Sequence, residues 1–423
     1  HSMKKAYLYA DSISKAVEKP CIINMSFGIG SEIEGQSEME KYLDNLARQN
    51  PYLYICTSNG NEGPGISSTG LPSAATSVFS SGAVLTKEVG SDLYGATLDR
   101  DIIMEFSSRG GEVNKPDVVS PGASTSTVPN WGRWDRFWGT SMASPYTAGV
   151  MSLLFSAVSA EYPDFKLPSK LLYKAVREGA VKMTGYTELD QGGGYINVNL
   201  AYERLKKYIE SGEINQFETY TIQGFAPNMP NNNAPSIYIR NGSFLTGNEK
   251  YSFSIVRNNF IDKEKFYRVY SLHTDADWVK PVQQNTYLRN DQITFVNVNF
   301  DIDKMQEPGL YTTTIKGVRK DGSRFPEFEL LTTVVMPYKF EAFNNYREIW
   351  EETVAPGMIN RYFIDVPAGG TAMQIKLESE PDQYTNCRFH LHAPDGRAVG
   401  GSRYMDSFEN EQTSQKTYYD LEQ

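Results

Sequence analysis

The sequence predicts an α/β domain, a parallel sheet flanked by helices, followed by β-sandwich-type modules. Three observations carry that expectation. Apolar runs of strand length alternate with stretches of helical spacing up to about residue 210. Beyond that point the pattern turns to short alternating strands separated by Asn-, Gly- and Pro-rich turns. At 423 residues the chain also exceeds what a single hydrophobic core supports. Together they divide it into an α/β domain over 1–212, a β-sandwich over 213–338 and a second β-rich module over 339–423.

Met3 to Lys19 has helical spacing, with Ala6, Tyr9, Ala10, Ile13 and Val17 on one face. Cys21 to Phe27 reads as a strand ended by Gly28 and Gly30, Glu40 to Arg48 as a helix, and Tyr52 to Thr57 as a buried strand. Strands alternating with helices imply crossover connections, and ligand sites in such sheets gather at the carboxyl ends of the strands. Helices from Ser141 to about Ser159, Ser169 to Glu178 and Leu200 to Tyr208 complete the domain. Gly192-Gly193-Gly194 lacks the Lys-Ser/Thr of a phosphate loop and reads as a turn. Further on, Tyr251–Val256, Gln292–Val298 and Tyr311–Ile315 alternate as sandwich strands. Met373–Leu377 and Phe389–His392 do so in the last module.

Composition narrows the function. With 40% hydrophobic and 22% charged residues the chain is an ordinary globular protein, and its net charge of -10 argues against a nucleic-acid partner. No apolar run is long enough to span a bilayer, and no signal-peptide pattern opens the chain. Cys21, Cys56 and Cys387 are too scattered for a disulfide framework, which points to a reducing, cytoplasmic compartment. No cofactor or metal is expected: alternation puts His390 and His392 on one strand face, but no third ligand accompanies them.

The chemistry centres on Phe137-Trp138-Gly139-Thr140-Ser141-Met142-Ala143-Ser144-Pro145, a small-residue turn opening into an apolar helix. A hydroxyl at such a junction lies beside unsatisfied N–H groups and the positive end of the helix dipole, where negative charge on a substrate oxygen is stabilised. A serine there is ordinarily a cap. The full Gly-Thr-Ser-Met-Ala-Ser-Pro string, however, resembles the nucleophile signature of the subtilisin-like serine protease family. That resemblance implies a subtilisin-like fold with Ser141 as the last member of an Asp, His, Ser triad.

Other segments fit the same family. Asn and Gly clusters by themselves mark turns, yet Ser58-Asn59-Gly60-Asn61-Glu62-Gly63 resembles the family's oxyanion-hole loop. Asn61 is the matching donor, with Asn59 and Gly60 beside the substrate. Asn24-Met25-Ser26-Phe27-Gly28 is similar to the segment lining the cleft, so Ser26, Phe27 and Gly28 are expected to pair with an extended peptide. Lys115 to Gly122 resembles a framework element in which Asp117 is structural. Ser126–Trp131, Ser236–Arg240, Trp278-Val279 and Arg361–Pro367 resemble the tripeptidyl peptidase II branch of the family. This implies release of tripeptides from free N-termini by a homo-oligomer, with the β modules serving assembly or substrate access. Glu32 and Glu34 are the candidates to pair with the substrate's free amine. Aromatic residues between Trp131 and Trp138 either shape a pocket or plug the space under the helix.

The histidines are His1, His273, His390 and His392, and none lies in a His-Gly-Thr-His context. The family places its Asp and His upstream of the first helix seen here. The domain is therefore expected to be N-terminally truncated, with the missing N-terminal segment as its partner and no activity of its own on peptide substrates. An endopeptidase and a non-catalytic peptide-binding scaffold are the alternatives.

Overall fold

A computed structural model describes residues 2–30, 33–125, 135–227, 234–322, 325–380, 384–406 and 413–419. Glu32 and most of the aromatic loop, Trp131 and Trp134 included, lie outside the described residues.

In chain order the first body comprises α1 (Ser2–Val17), β1 (Cys21–Met25), α2 (Glu38–Gln49), β2 (Leu53–Ser58), β3 (Phe79–Leu85), α3 (Lys87–Tyr94), β4 (Ile102–Ile103), β5 (Val118–Pro121), β6 (Ala123–Thr125) and β7 (Arg136–Trp138). It continues through α4 (Thr140–Glu161), α5 (Ser169–Gly179), α6 (Glu188–Gln191) and α7 (Val198–Glu210). β1, β2, β3 and β5 run parallel, and β4 closes on β3 antiparallel. β2 is buried at every position, as a central parallel strand must be. Its period of two sends Leu53 and Ile55 to Tyr7, Leu43 and Leu46 of α1 and α2, and Tyr54 and Cys56 to Met151, Leu172 and Val176 of α4 and α5. α2 begins where Ser37 and Glu40 form a reciprocal capping box.

α1 corrects one expectation. The face carrying Tyr9, Ile13 and Val17 points outward, while Tyr7, Asp11 and Ser14 are buried. Polar partners decide the orientation: Asn50 Nδ2 donates to Asp11 Oδ1 at 2.7 Å, Lys15 pairs with Asp11 at 2.7 Å, and Ser14 Oγ donates to Lys19 O at 2.7 Å. Satisfied in this way, Asp11 and Ser14 are buried at little cost, whereas the Tyr7 hydroxyl is buried without a partner among the described residues.

The second body holds β8 (Tyr220–Phe225), β9 (Ile237–Ile239), β10 (Tyr251–Arg257), β11 (Tyr267–His273), β12 (Val279–Pro281), β13 (Asn285–Arg289), β14 (Thr294–Phe300), β15 (Gly309–Arg319) and β16 (Pro326–Met336). Its strands form two sheets, β12-β14-β10-β8 and β13-β11-β15-β16-β9, closed over a core that includes Phe253, Tyr270, Trp278 and Ile315. After it come β17 (Tyr338–Lys339), β18 (Ile364–Asp365), β19 (Ala372–Glu378), β20 (Asn386–Phe389), β21 (Arg403–Asp406) and β22 (Thr413–Tyr419), paired only two by two. The strand expected through His392 ends at Phe389. This last part is pinned to the first body where Arg361 Nη2 donates to the buried Asp190 Oδ1 at 2.6 Å. Asp190 in turn accepts from the buried Arg109 Nε at 2.7 Å. Among the described residues no helix is long and apolar enough to cross a membrane.

Candidate active site

Two loops at the carboxyl ends of parallel strands, and strand β5 itself, meet the start of α4, and each is tied to it by hydrogen bonds. Pro145 lies inside α4 and has no N–H to offer Ser141 O four residues earlier. Ser26, just past β1, supplies the missing donor: its Oγ donates to Ser141 O at 2.8 Å. Beside it, Ser144 Oγ donates to Asn24 Oδ1 at 2.7 Å, and Asn24 Nδ2 donates to Ser26 Oγ at 3.2 Å. From β5, Ser120 Oγ donates to Ala143 O at 2.9 Å. Ser26→Ala leaves the Ser141 carbonyl without its donor. It is expected to lower unfolding free energy by about 1–2 kcal/mol in urea titrations.

The loop after β2 is set by Thr140. Gly60, at φ +113°, turns its N–H to Thr140 Oγ1 at 3.2 Å. Asn61 Oδ1 accepts from Thr140 N at 3.0 Å and from Thr140 Oγ1 at 2.9 Å. With the amide oxygen occupied, the Nδ2 end of Asn61 is fixed on the other side. Gly139, at φ +148°, brings these groups close together: a Cβ there would be in van der Waals contact with Asn61 Nδ2 at 3.5 Å, Ser141 N at 3.6 Å and Asn61 Oδ1 at 3.8 Å. Ser141 N, in the first turn of α4, has no intrahelical acceptor. Two unspent donors thus lie close together beside a partly exposed Ser141, at the positive end of a 22-residue helix.

The cleft segment is open. Phe27 and Gly28 are exposed, and among the described residues their backbone groups have no backbone partner. Past them, Ile29 and Leu71 exchange both backbone bonds, at 3.0 and 2.7 Å. Ser26 differs from the expected substrate contact in that its hydroxyl faces the helix rather than the cleft.

Other expected contacts are structural. Asn59 is fully buried, with Nδ2 donating to Ser108 O at 2.7 Å, and it does not reach the cleft. Gly60 spends its N–H on Thr140 and accepts from Ser108 N through its carbonyl at 2.9 Å. Glu34, expected to meet the substrate amine, is fully buried. Its carboxyl accepts from Thr69 N at 2.8 Å and Val113 N at 3.1 Å. Burial pushes the Glu34 carboxyl up to about 8 from its ordinary 4.5. The stability this proton-binding group contributes is full below about 4.5 and is lost as pH rises through about 8. Glu34→Gln removes the dependence, so urea midpoints at pH 5 and pH 8 are expected to converge in the variant and to fall with pH in the parent.

Asp117 is held by Lys115 Nζ at 2.5 Å and by Ser80 N at 2.7 Å, inside the framework as its place in the sequence implied. The described histidines stand apart: His273 ends β11, and His390 and His392 lie in the last part with their rings 6.3 Å apart. Among the described residues no histidine is hydrogen-bonded to Ser141, and no group of three metal-ligating side chains occurs. Sequence reasoning missed Thr140 and Asn24 as supports; the Thr inside Gly-Thr-Ser was the available signal.

Comparison with known proteins bears on the family and the fold. Residues 2–190 match the model of the subtilase family. Pyrolysin of Pyrococcus furiosus is 30% identical over 414 residues, covering 89% of this chain and 28% of that protein. Tripeptidyl-peptidase 2 of Caenorhabditis elegans is 28% identical over 387 residues, covering 88% and 27%. The crystal structure of tripeptidyl peptidase 2 shares the fold, with a TM-score of 0.74 at 19% identity over 99% of this chain and 34% of that one. The chain thus spans less than a third of the length of these two relatives. Through residues 2–190, the part that holds Ser141 and Asn61, it belongs to the subtilase family.

Proposed function

We propose that this chain carries the nucleophile and the oxyanion hole of a serine peptidase that hydrolyses peptide bonds. The closeness of Asn61 Nδ2 and Ser141 N, both within 3.6 Å of where a Cβ on Gly139 would stand and neither with a hydrogen-bond partner among the described residues, is the observation that carries the reading. In it, Ser141 Oγ attacks the scissile carbonyl and its proton passes to a histidine oriented by an aspartate. The tetrahedral oxygen is held by the two N–H donors, the amine leaves with the proton, and water releases the acyl group.

The histidine and aspartate are proposed to come from a further segment of the same polypeptide, docked on β1 and α1. Two features support this. β1 is the terminal strand of its sheet, a parallel edge with apolar side chains and no partner strand on its far side among the described residues. Beside it α1 exposes Tyr9, Ile13 and Val17, spaced one helical turn apart, at 69, 44 and 53% of their surface.

For the intact enzyme we propose release of tripeptides from free N-termini, a reading supported by the tripeptidyl-peptidase named among the relatives. Endopeptidase action is favoured by one observation, the withdrawal of Glu34 into the interior. A tripeptide amide of a fluorophore separates the two. If the free amine is bound, N-acetylation is expected to lower kcat/KM by about 10²-fold, the cost of charge-assisted bonds left unmade. An unchanged value establishes the endopeptidase.

A further inference from the structure

The loop that carries Asn61 is roofed by a segment from the far end of the chain. Leu391 to Val399 forms a hairpin closed by Val399 N–H donating to Leu391 O at 2.8 Å and Ala393 N–H to Arg397 O at 2.8 Å. Its turn lies across Gly65 and Ser67. The His392 ring covers Gly65 so closely that a Cβ on that glycine would stand 2.3 Å from Nδ1 and 2.5 Å from Cγ. On the other side of the turn Gly396, at φ +86°, touches the loop with its backbone, and a Cβ there would stand 2.1 Å from Ser67 O. The ring's orientation follows from its bond to Gly396 O, 3.0 Å from Nδ1: a carbonyl only accepts, so Nδ1 carries the proton.

The same loop is held from beneath. Gly63 N donates to Phe106 O at 2.8 Å and Ser67 N to Gly110 O at 3.0 Å. Ile66 packs with Leu189 of α6, Tyr238 and Leu331 of the sandwich, and Phe363 of the last part. Residues 63–67, which follow Asn61 directly, are therefore clamped between the peptidase framework and the hairpin. Outside the hairpin, the part of the chain that carries it is tied to the first body by the Arg361–Asp190 bond at 2.6 Å and the Arg388–Glu105 ion pair. Asn61 itself is exposed, and the side-chain hold on it is the pair of bonds from Thr140. An oxyanion donor stabilises the transition state only when kept in place, so the clamp bears on rate rather than on substrate affinity.

We propose that His392 is a positioning residue for the oxyanion hole: pressed on Gly65 and locked by Gly396, it holds the loop that aims Asn61. The inference rests on the reading of Ser141 and Asn61 given above. It is tested in the full-length enzyme with a fluorogenic peptide. His392→Ala is expected to lower kcat about tenfold with KM within about twofold. His392→Asn keeps an N–H for Gly396 O and is expected to restore most of the rate. In an Asn61→Ala background His392→Ala is expected to change kcat no further, because its effect runs through that amide. Should His392→Ala fail to fold, His392→Leu fills the space without the bond to Gly396 and is expected to show the same dependence on Asn61. Unchanged kcat in His392→Ala and His392→Leu, or an equal loss with and without Asn61, overturns the proposal. Failure of the underlying reading looks different: turnover would survive Ser141→Ala.

Discussion

Ser141→Ala is expected to abolish turnover and to prevent covalent labelling by a fluorophosphonate. The loss in kcat should be about 10⁶-fold, the order found when the nucleophile of a triad is removed. Folding should be spared. Ser141 bonds to the framework through its carbonyl, which still accepts from Ser26 Oγ, and among the described residues no hydrogen bond involves its Oγ. A thermal midpoint within about 2 °C of the parent, together with complete loss of labelling, separates chemistry from folding.

Asn61→Ala should leave the nucleophile in place and remove one of the two donors facing the developing oxyanion. The expected loss is about 10²–10³ in kcat, roughly 3 kcal/mol of barrier, with KM nearly unchanged because the ground-state carbonyl gains little from that donor. Asn61→Asp refines the experiment. A carboxylate can still accept from Thr140 N and Oγ1 as Asn61 Oδ1 does, so the loop is kept. It replaces the donor with a negative charge facing the oxyanion, so its kcat should fall below that of the alanine variant. The opposite order would mean that Asn61 acts by holding Thr140 rather than by donating to substrate.

Comparing these residues shows what local sequence can express. The local setting of Ser141 and Asn61 was legible because each lies in a short motif: a glycine-preceded helix start, and a turn leaving the end of a buried strand; their expected roles came from the family resemblance. β2 was legible because a strand covered on both faces is apolar throughout. The outward turn of α1 was not, since periodicity marks an apolar stripe without saying what covers it. There, partners for Asp11 and Ser14 set the orientation instead. Glu34 was misread for a related reason. Its place in the interior depends on the Thr69 and Val113 amides, which folding brings to it from distant parts of the chain. The contact of His392 with Gly65 joins segments farther apart still, and no local pattern encodes it.

The account stands most directly on where a substrate oxygen sits once it is bonded to Ser141. A crystal structure of the enzyme inactivated by a peptidyl phosphonate or boronate measures this. The predicted result is a tetrahedral adduct on Ser141 Oγ, with one oxygen within about 3 Å of both Asn61 Nδ2 and Ser141 N. An adduct whose oxygens all turn away from Asn61, or a modification on another residue, would contradict it.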